Sequence, residues 1–148
     1  MITAEAPSRR TFARPRSLAE VESCARIDGH GIDLPLREFL EEFYVEDRAD
    51  VRVQMLAREP SLTGIDRHDA YLAAVAEHLA RRYRLAVPGW AGKSNRFLKR
   101  PYFPSGLESL KAILIVESPV AFRKRLIFVD KDPLYRPRRD VRGIGERP

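Results

Sequence analysis

Leu36, Phe39, Leu40, Phe43 and Tyr44 fall at i, i+3, i+4, i+7 and i+8. A helix of 3.6 residues per turn gathers such a set onto one side, so the rest of the chain must supply a core for it. Asp33 is placed to cap this helix, and Pro35 is tolerated in its first turn. Its outer face carries Glu38, Glu41, Glu42 and Glu46.

The same period recurs on both sides. Ser17 is expected to cap a helix over about Leu18 to Ile27, closed by the turn Asp28-Gly29-His30-Gly31. Ala49, Val53, Leu56 and Ala57 predict a third helix that ends before Pro60. Asp66 caps a long fourth helix with the stripe Leu72, Val75, Ala76, Leu79 and Tyr83. That helix finishes in Arg81, Arg82 and Arg84, where the macrodipole favours cations.

From Val87 to Leu134 the chain holds its only tryptophan, its longest apolar run and five prolines. Ser105 and Glu108 form an S-x-x-E capping box, and Leu107, Leu110, Ile113 and Leu114 follow at helical spacing. Ala112 to Val116 is apolar on every side, which predicts a buried helix stopped by Pro119. A hairpin of residues 112–116 with 126–129 is the competing reading. Ser118-Pro119 then reads as a new N-cap, opening a short helix to about Arg125. Leu126 to Val129 is an extended segment or one short strand. The expected core is Phe39, Leu40, Phe43, Leu72, Leu79, Leu110, Ile113, Leu114 and Phe122.

A chain of 148 residues is one domain's worth. No apolar run approaches the roughly 20 residues that span a bilayer, and the first residues lack a secretory h-region. One cysteine, Cys24, cannot form an internal disulfide, which suits a cytoplasmic setting. The formal charge of +6 lies at the ends. Residues 1–17 set four arginines against one glutamate, and residues 134–148 set five arginines against two acids. The segments 1–16 and 134–148 are expected to be disordered basic tails flanking a helical domain over 17–133. Weak contact with nucleic-acid phosphates is one use for such tails.

Inside the neutral body the charge is segregated. Residues 33–50 hold seven acids against Arg37 and Arg48, while residues 81–100 hold seven bases and no acid. Arg81, Arg82, Arg84, Arg96, Lys99 and Arg100, interleaved with Trp90 and Phe97, have the composition of a nucleic-acid surface. A solvated face over core aromatics has the same composition. No catalytic or cofactor signature accompanies these charges. Gly92-Lys93-Ser94 resembles the end of a phosphate-binding loop, but Val87 stands where its first glycine is required. His30, His68 and His78 have no metal-ligand spacing. His78 lies opposite the apolar stripe and is expected at the surface. Glu41 and Glu42 point to different sides and form no acid–base pair.

Arg37-Glu38-Phe39-Leu40…Phe43-Tyr44, Asp69-Ala70-Tyr71-Leu72-Ala73-Ala74, Val87-Pro88-x-Trp90 and Glu117-Ser118-Pro119-x-Ala121-Phe122-Arg123-x-Arg125-x-Ile127-Phe128-Val129 together resemble a family of small uncharacterised bacterial proteins. Such proteins are similar to components encoded beside nucleotidyltransferase-like toxins or helix-turn-helix regulators. The resemblance spans roughly residues 34–135 and carries no catalytic residue. It departs at Leu126, where the pattern has a polar residue or glycine.

The expectation is an all-α domain of about six helices. The resemblance implies a non-enzymatic, antitoxin-like or accessory protein that binds a partner such as a nucleotidyltransferase-type toxin, and the residues themselves give no reason to expect a cofactor or metal. The face of Glu38, Glu41, Glu42 and Glu46 is the expected partner surface. A DNA-binding regulator using Arg81 to Arg100 is the alternative, and a small RNA-directed enzyme the third.

Overall fold

The computed structural model describes residues 14–137. Six α-helices follow one another: α1 (Leu18–Asp28), α2 (Asp33–Val45), α3 (Ala49–Ala57), α4 (Asp66–Arg82), α5 (Lys111–Glu117) and α6 (Val120–Arg123). Three single 3-10 turns, Gly89–Gly92, Ser94–Arg96 and Glu108–Leu110, fill the long α4–α5 connection. Among the described residues the only β-type pairing is an isolated parallel bridge, Tyr102 with Ile127. The fold is all-α, as the periodicity requires.

The core is built around α4. Ala70, Leu72, Ala73, Ala74, Val75, Ala76, Leu79 and Ala80 are all fully buried, so this helix is wrapped rather than docked along one stripe. Its alanines are the reason: small side chains let neighbouring backbone approach on several sides. α3, α6 and the first two 3-10 turns pack against it, while α1 packs against α2 and α3. Seven of the nine expected core residues are buried; Leu110 and Ile113 are exposed.

Local signals explain most helix ends. Ser17 Oγ accepts from the Glu20 N–H at 3.2 Å, and the Glu20 carboxylate accepts from the Arg16 N–H at 2.7 Å. Gly29, at φ 76°, closes α1 in the left-handed conformation and donates its N–H to Ala25 O. Asp33 and Asp66 are the first residues of α2 and α4 rather than their caps; Ile32 and Ile65 hold the cap positions without a side-chain bond. α4 ends with the Leu85 N–H donating to Ala80 O at 2.7 Å around Arg84, which takes the left-handed conformation, φ 59°, that glycine usually fills. Leu126 is the other such residue, at φ 64°. A glycine would sit there at less cost.

Three expectations change. The Ser105–Glu108 box caps no long helix: a single 3-10 turn precedes the two-turn α5, because Gly106 adopts φ 69° just before it. Ser118 is not the cap of α6. Its buried Oγ lies 2.6 Å from Leu114 O and accepts from the Val129 N–H at 2.8 Å, tying the end of α5 to the following extended segment. The ends of the domain also reach further than 17–133. Pro15 and Leu134 are buried, and the Tyr44 hydroxyl donates to Leu134 O at 2.8 Å. The remaining parts of the expected tails, 1–13 and 138–148, lie outside the described residues.

Candidate partner-binding surface

The acidic face of α2 is already occupied. Arg14 and Arg136 both pair with Glu41, the latter at 3.1 Å. Arg16 and Arg14 reach Glu42 at 3.0 and 3.2 Å, and Arg16 lies 3.6 Å from Glu46. Glu38 alone has no partner among the described residues. Three of the four expected partner residues are thus ion-paired to basic residues from both ends of the domain. The signal was present in the sequence as charge complementarity between a cationic flank on each side and the acidic segment 33–50. What the sequence could not show is that both flanks return to the same helix face.

The basic segment does not form one surface either. Arg96, expected among the exposed cations, is 0% exposed. Its guanidinium lies 4.9 Å from the Trp90 ring centroid and donates to Glu59, Pro60 O and Asp69 O. Trp90 in turn donates its indole N–H to Leu56 O at 3.0 Å. Burial of a guanidinium requires pairing, and although Nε has no partner among the described residues, both terminal nitrogens are bonded, so Arg96 clamps the α3–α4 connection to α4. Arg81 is held by Glu77 at 2.7 Å and Arg82 by Asp132 at 3.3 Å. Arg84, Lys99 and Arg100 are exposed and unpaired among the described residues. The interleaved rings are spent internally: Arg125 lies over Phe97 at 4.5 Å, and Phe103 stacks on Phe128 at 5.2 Å.

One buried carboxylate went unread in the sequence, and one histidine was placed wrongly. Glu77 accepts from Arg81, Lys124 and Arg125, the last at 2.8 Å with both side chains almost fully enclosed. His78 is half-buried, edge-on to Phe122 at 5.7 Å, and not a surface histidine. Its buried Nε2 has no partner among the described residues, and burial together with nearby Arg82 lowers its pKa. The i,i+4 pair of Glu77 and Arg81 was legible; the second and third cations come from 47 and 48 residues away. No group of three or more metal-ligating side chains assembles among the described residues.

The largest departure from expectation is α5. Only Leu114 of this apolar helix is buried. Ile113 is 52% and Val116 74% exposed, and Leu107, Leu110 and Ile115 join them in solvent. The helix is nevertheless fixed at both ends. Lys111 lies 5.0 Å from the Phe103 ring centroid and pairs with Glu108 at 2.8 Å, while Ser118 holds the other end. Continuous hydrophobicity was read as burial, but seven residues presenting one inward side chain cannot all be covered by a domain whose core is already filled around α4.

No family model, curated protein or solved structure matches the chain. Among the described residues no helix is long and apolar enough to cross a membrane.

Proposed function

We propose that this is a non-enzymatic binding protein that docks a partner protein on the exposed face of α5. The observation that carries the reading is the apolar set Ile113, Ile115 and Val116, standing in solvent on the two-turn α5, with Leu110 exposed in the 3-10 turn before it. Clustered exposed apolar side chains with a polar rim mark interaction sites, and a helix presenting anchors at i and i+3 fits a hydrophobic groove. The rim carries Glu108 and Glu117, the latter unpaired among the described residues, against one cation, Lys111, already paired. The matching partner therefore has an apolar groove edged by cations. The antitoxin-like role implied by the resemblance is the narrower form of this reading: a phosphate-handling toxin has a basic cleft of that kind. α5 replaces the acidic α2 face as the contact, because that face is paired within the chain.

Calorimetric titration against the purified product of the adjacent gene tests this. The Ile113→Glu/Val116→Glu double variant should bind at least tenfold more weakly with an unchanged unfolding midpoint. Simultaneous reversal of Glu38, Glu42 and Glu46 to lysine should leave binding intact. Full binding by the double variant, or loss only in the triple reversal, refutes the α5 site. Self-association that the double variant abolishes would make a second copy the occupant and refute the separate partner.

A further inference from the structure

A cleft of about 530 Å³ opens between the first turns of α2 and α4 and the segment 133–136. Asp33, Arg37, Arg67, His68, Tyr71 and Tyr102 line it. None of these six side chains makes a hydrogen bond or ion pair to a described residue; their contacts are Arg67 at 5.9 Å from the Tyr102 ring centroid and Tyr71 edge-on to Phe122. On the other side of α2 the polar side chains behave differently: Glu41, Glu42, Arg14 and Arg16 are mutually paired. Six side chains with hydrogen-bonding capacity left over thus share one concavity, within the size range of small-ligand sites. Arg136 and Tyr135 close its edge, held in place by the Arg136–Glu41 pair and the Tyr44–Leu134 bond.

The lining has a definite chemistry. With Arg136 neutralised by Glu41, two unpaired arginines against the single carboxylate of Asp33 favour an anion, and the planar guanidinium forks of Arg37 and Arg67 suit phosphate oxygens. The positive ends of two helix dipoles add to the same field. Tyr71 and Tyr102 each bring a ring and a hydroxyl to the lining, and Asp33 can accept from ligand hydroxyl or amino groups. Burial pushes the Tyr71 hydroxyl pKa up, so it keeps its proton and can donate. Burial and the neighbouring Arg67 push the His68 pKa down, leaving a neutral imidazole at pH 7. We propose that this cleft binds a mononucleotide-sized ligand, its phosphate on Arg37 and Arg67 and its planar base against Tyr102. This site is separate from α5 and stands independently of the proposed partner.

The full chain is titrated with AMP, inorganic phosphate and adenosine by calorimetry. AMP should bind saturably, and more tightly than either fragment. Arg37→Ala/Arg67→Ala should weaken AMP at least tenfold. Tyr102→Leu should weaken AMP but leave phosphate unchanged. Both arginines are exposed, so the double variant should keep its circular dichroism and unfolding midpoint. No saturable AMP binding at millimolar ligand, equal affinity for phosphate and AMP, or AMP binding that survives loss of both arginines would each overturn the proposal.

Discussion

Glu77 Oε1 and Arg125 Nη1 lie 2.8 Å apart across 48 residues of chain, with 3% and 1% of their side chains exposed. Arg125 also donates to Ala121 O at 2.7 Å and Ala91 O at 2.6 Å, so one guanidinium joins α4, α6 and the Gly89–Gly92 turn. Lys124 and Arg81 complete the carboxylate's shell at 3.0 and 2.7 Å. The arrangement fixes which way α6 docks on α4, a specificity that apolar packing alone supplies weakly.

Removing one partner of such a pair leaves the other charge buried. Glu77→Ala is expected to cost about 3–5 kcal/mol, the range for a broken buried ion pair. Arg81→Ala removes an exposed contributor and should cost within about 1 kcal/mol. Urea denaturation of both variants checks the difference; equal losses would show that Glu77 is not enclosed.

Acid should act through the same carboxyl. Burial raises the Glu77 pKa, but hydrogen bonds from Arg125, Lys124 and Arg81 lower it by more, leaving it at about 2. Unfolded, a glutamate titrates near ~4.3. The folded value is the lower one, so the contribution is complete above the unfolded pKa and disappears as pH falls through the folded one. Thermal midpoints should drop more steeply between pH 5 and 2 in the wild type than in Glu77→Gln. Parallel slopes would remove Glu77 from the acid limb.

α5 offers a contrast within one turn. Leu114 is 6% exposed and Leu114→Ala should cost about 2–5 kcal/mol. Ile113 is 52% exposed, and Ile113→Ala should stay within about 0.5 kcal/mol. Chemical denaturation of the pair reads the helix orientation directly, and similar losses for both would mean that α5 is buried on two sides.

Arg96 separates folding from binding in the basic segment. Arg96→Ala leaves Pro60 O and Asp69 O without their donor and opens space beside Trp90, at a cost on the order of 3 kcal/mol. Lys99→Ala and Arg100→Ala should be within about 0.5 kcal/mol. Tryptophan fluorescence followed through unfolding should report the Arg96 change at Trp90; an unperturbed midpoint would place Arg96 at the surface after all.

Legibility followed the range of each interaction. Helices α1 to α4 announce themselves through Ser17, Gly29 and the stripe from Leu36 to Tyr44, because capping and periodicity are local. The acids of the α2 face and the cations of both flanks were also visible as charge.

Their pairing was not, since Arg14, Arg136 and Glu41 meet only when both chain ends return to α2. The burial of Arg96 and Arg125 has the same cause: a guanidinium reads as surface until distant carbonyls and Glu77 converge on it. For α5 the error ran the other way. Its composition determined a helix with five apolar residues to hide, but how many could be hidden depended on space around α4, which Ala70, Ala73, Ala74 and Ala80 had already given to other elements. Sequence by itself determined the helical class and the central helices. Tertiary structure decided which charges are spent inside the molecule and which apolar face is left for something else.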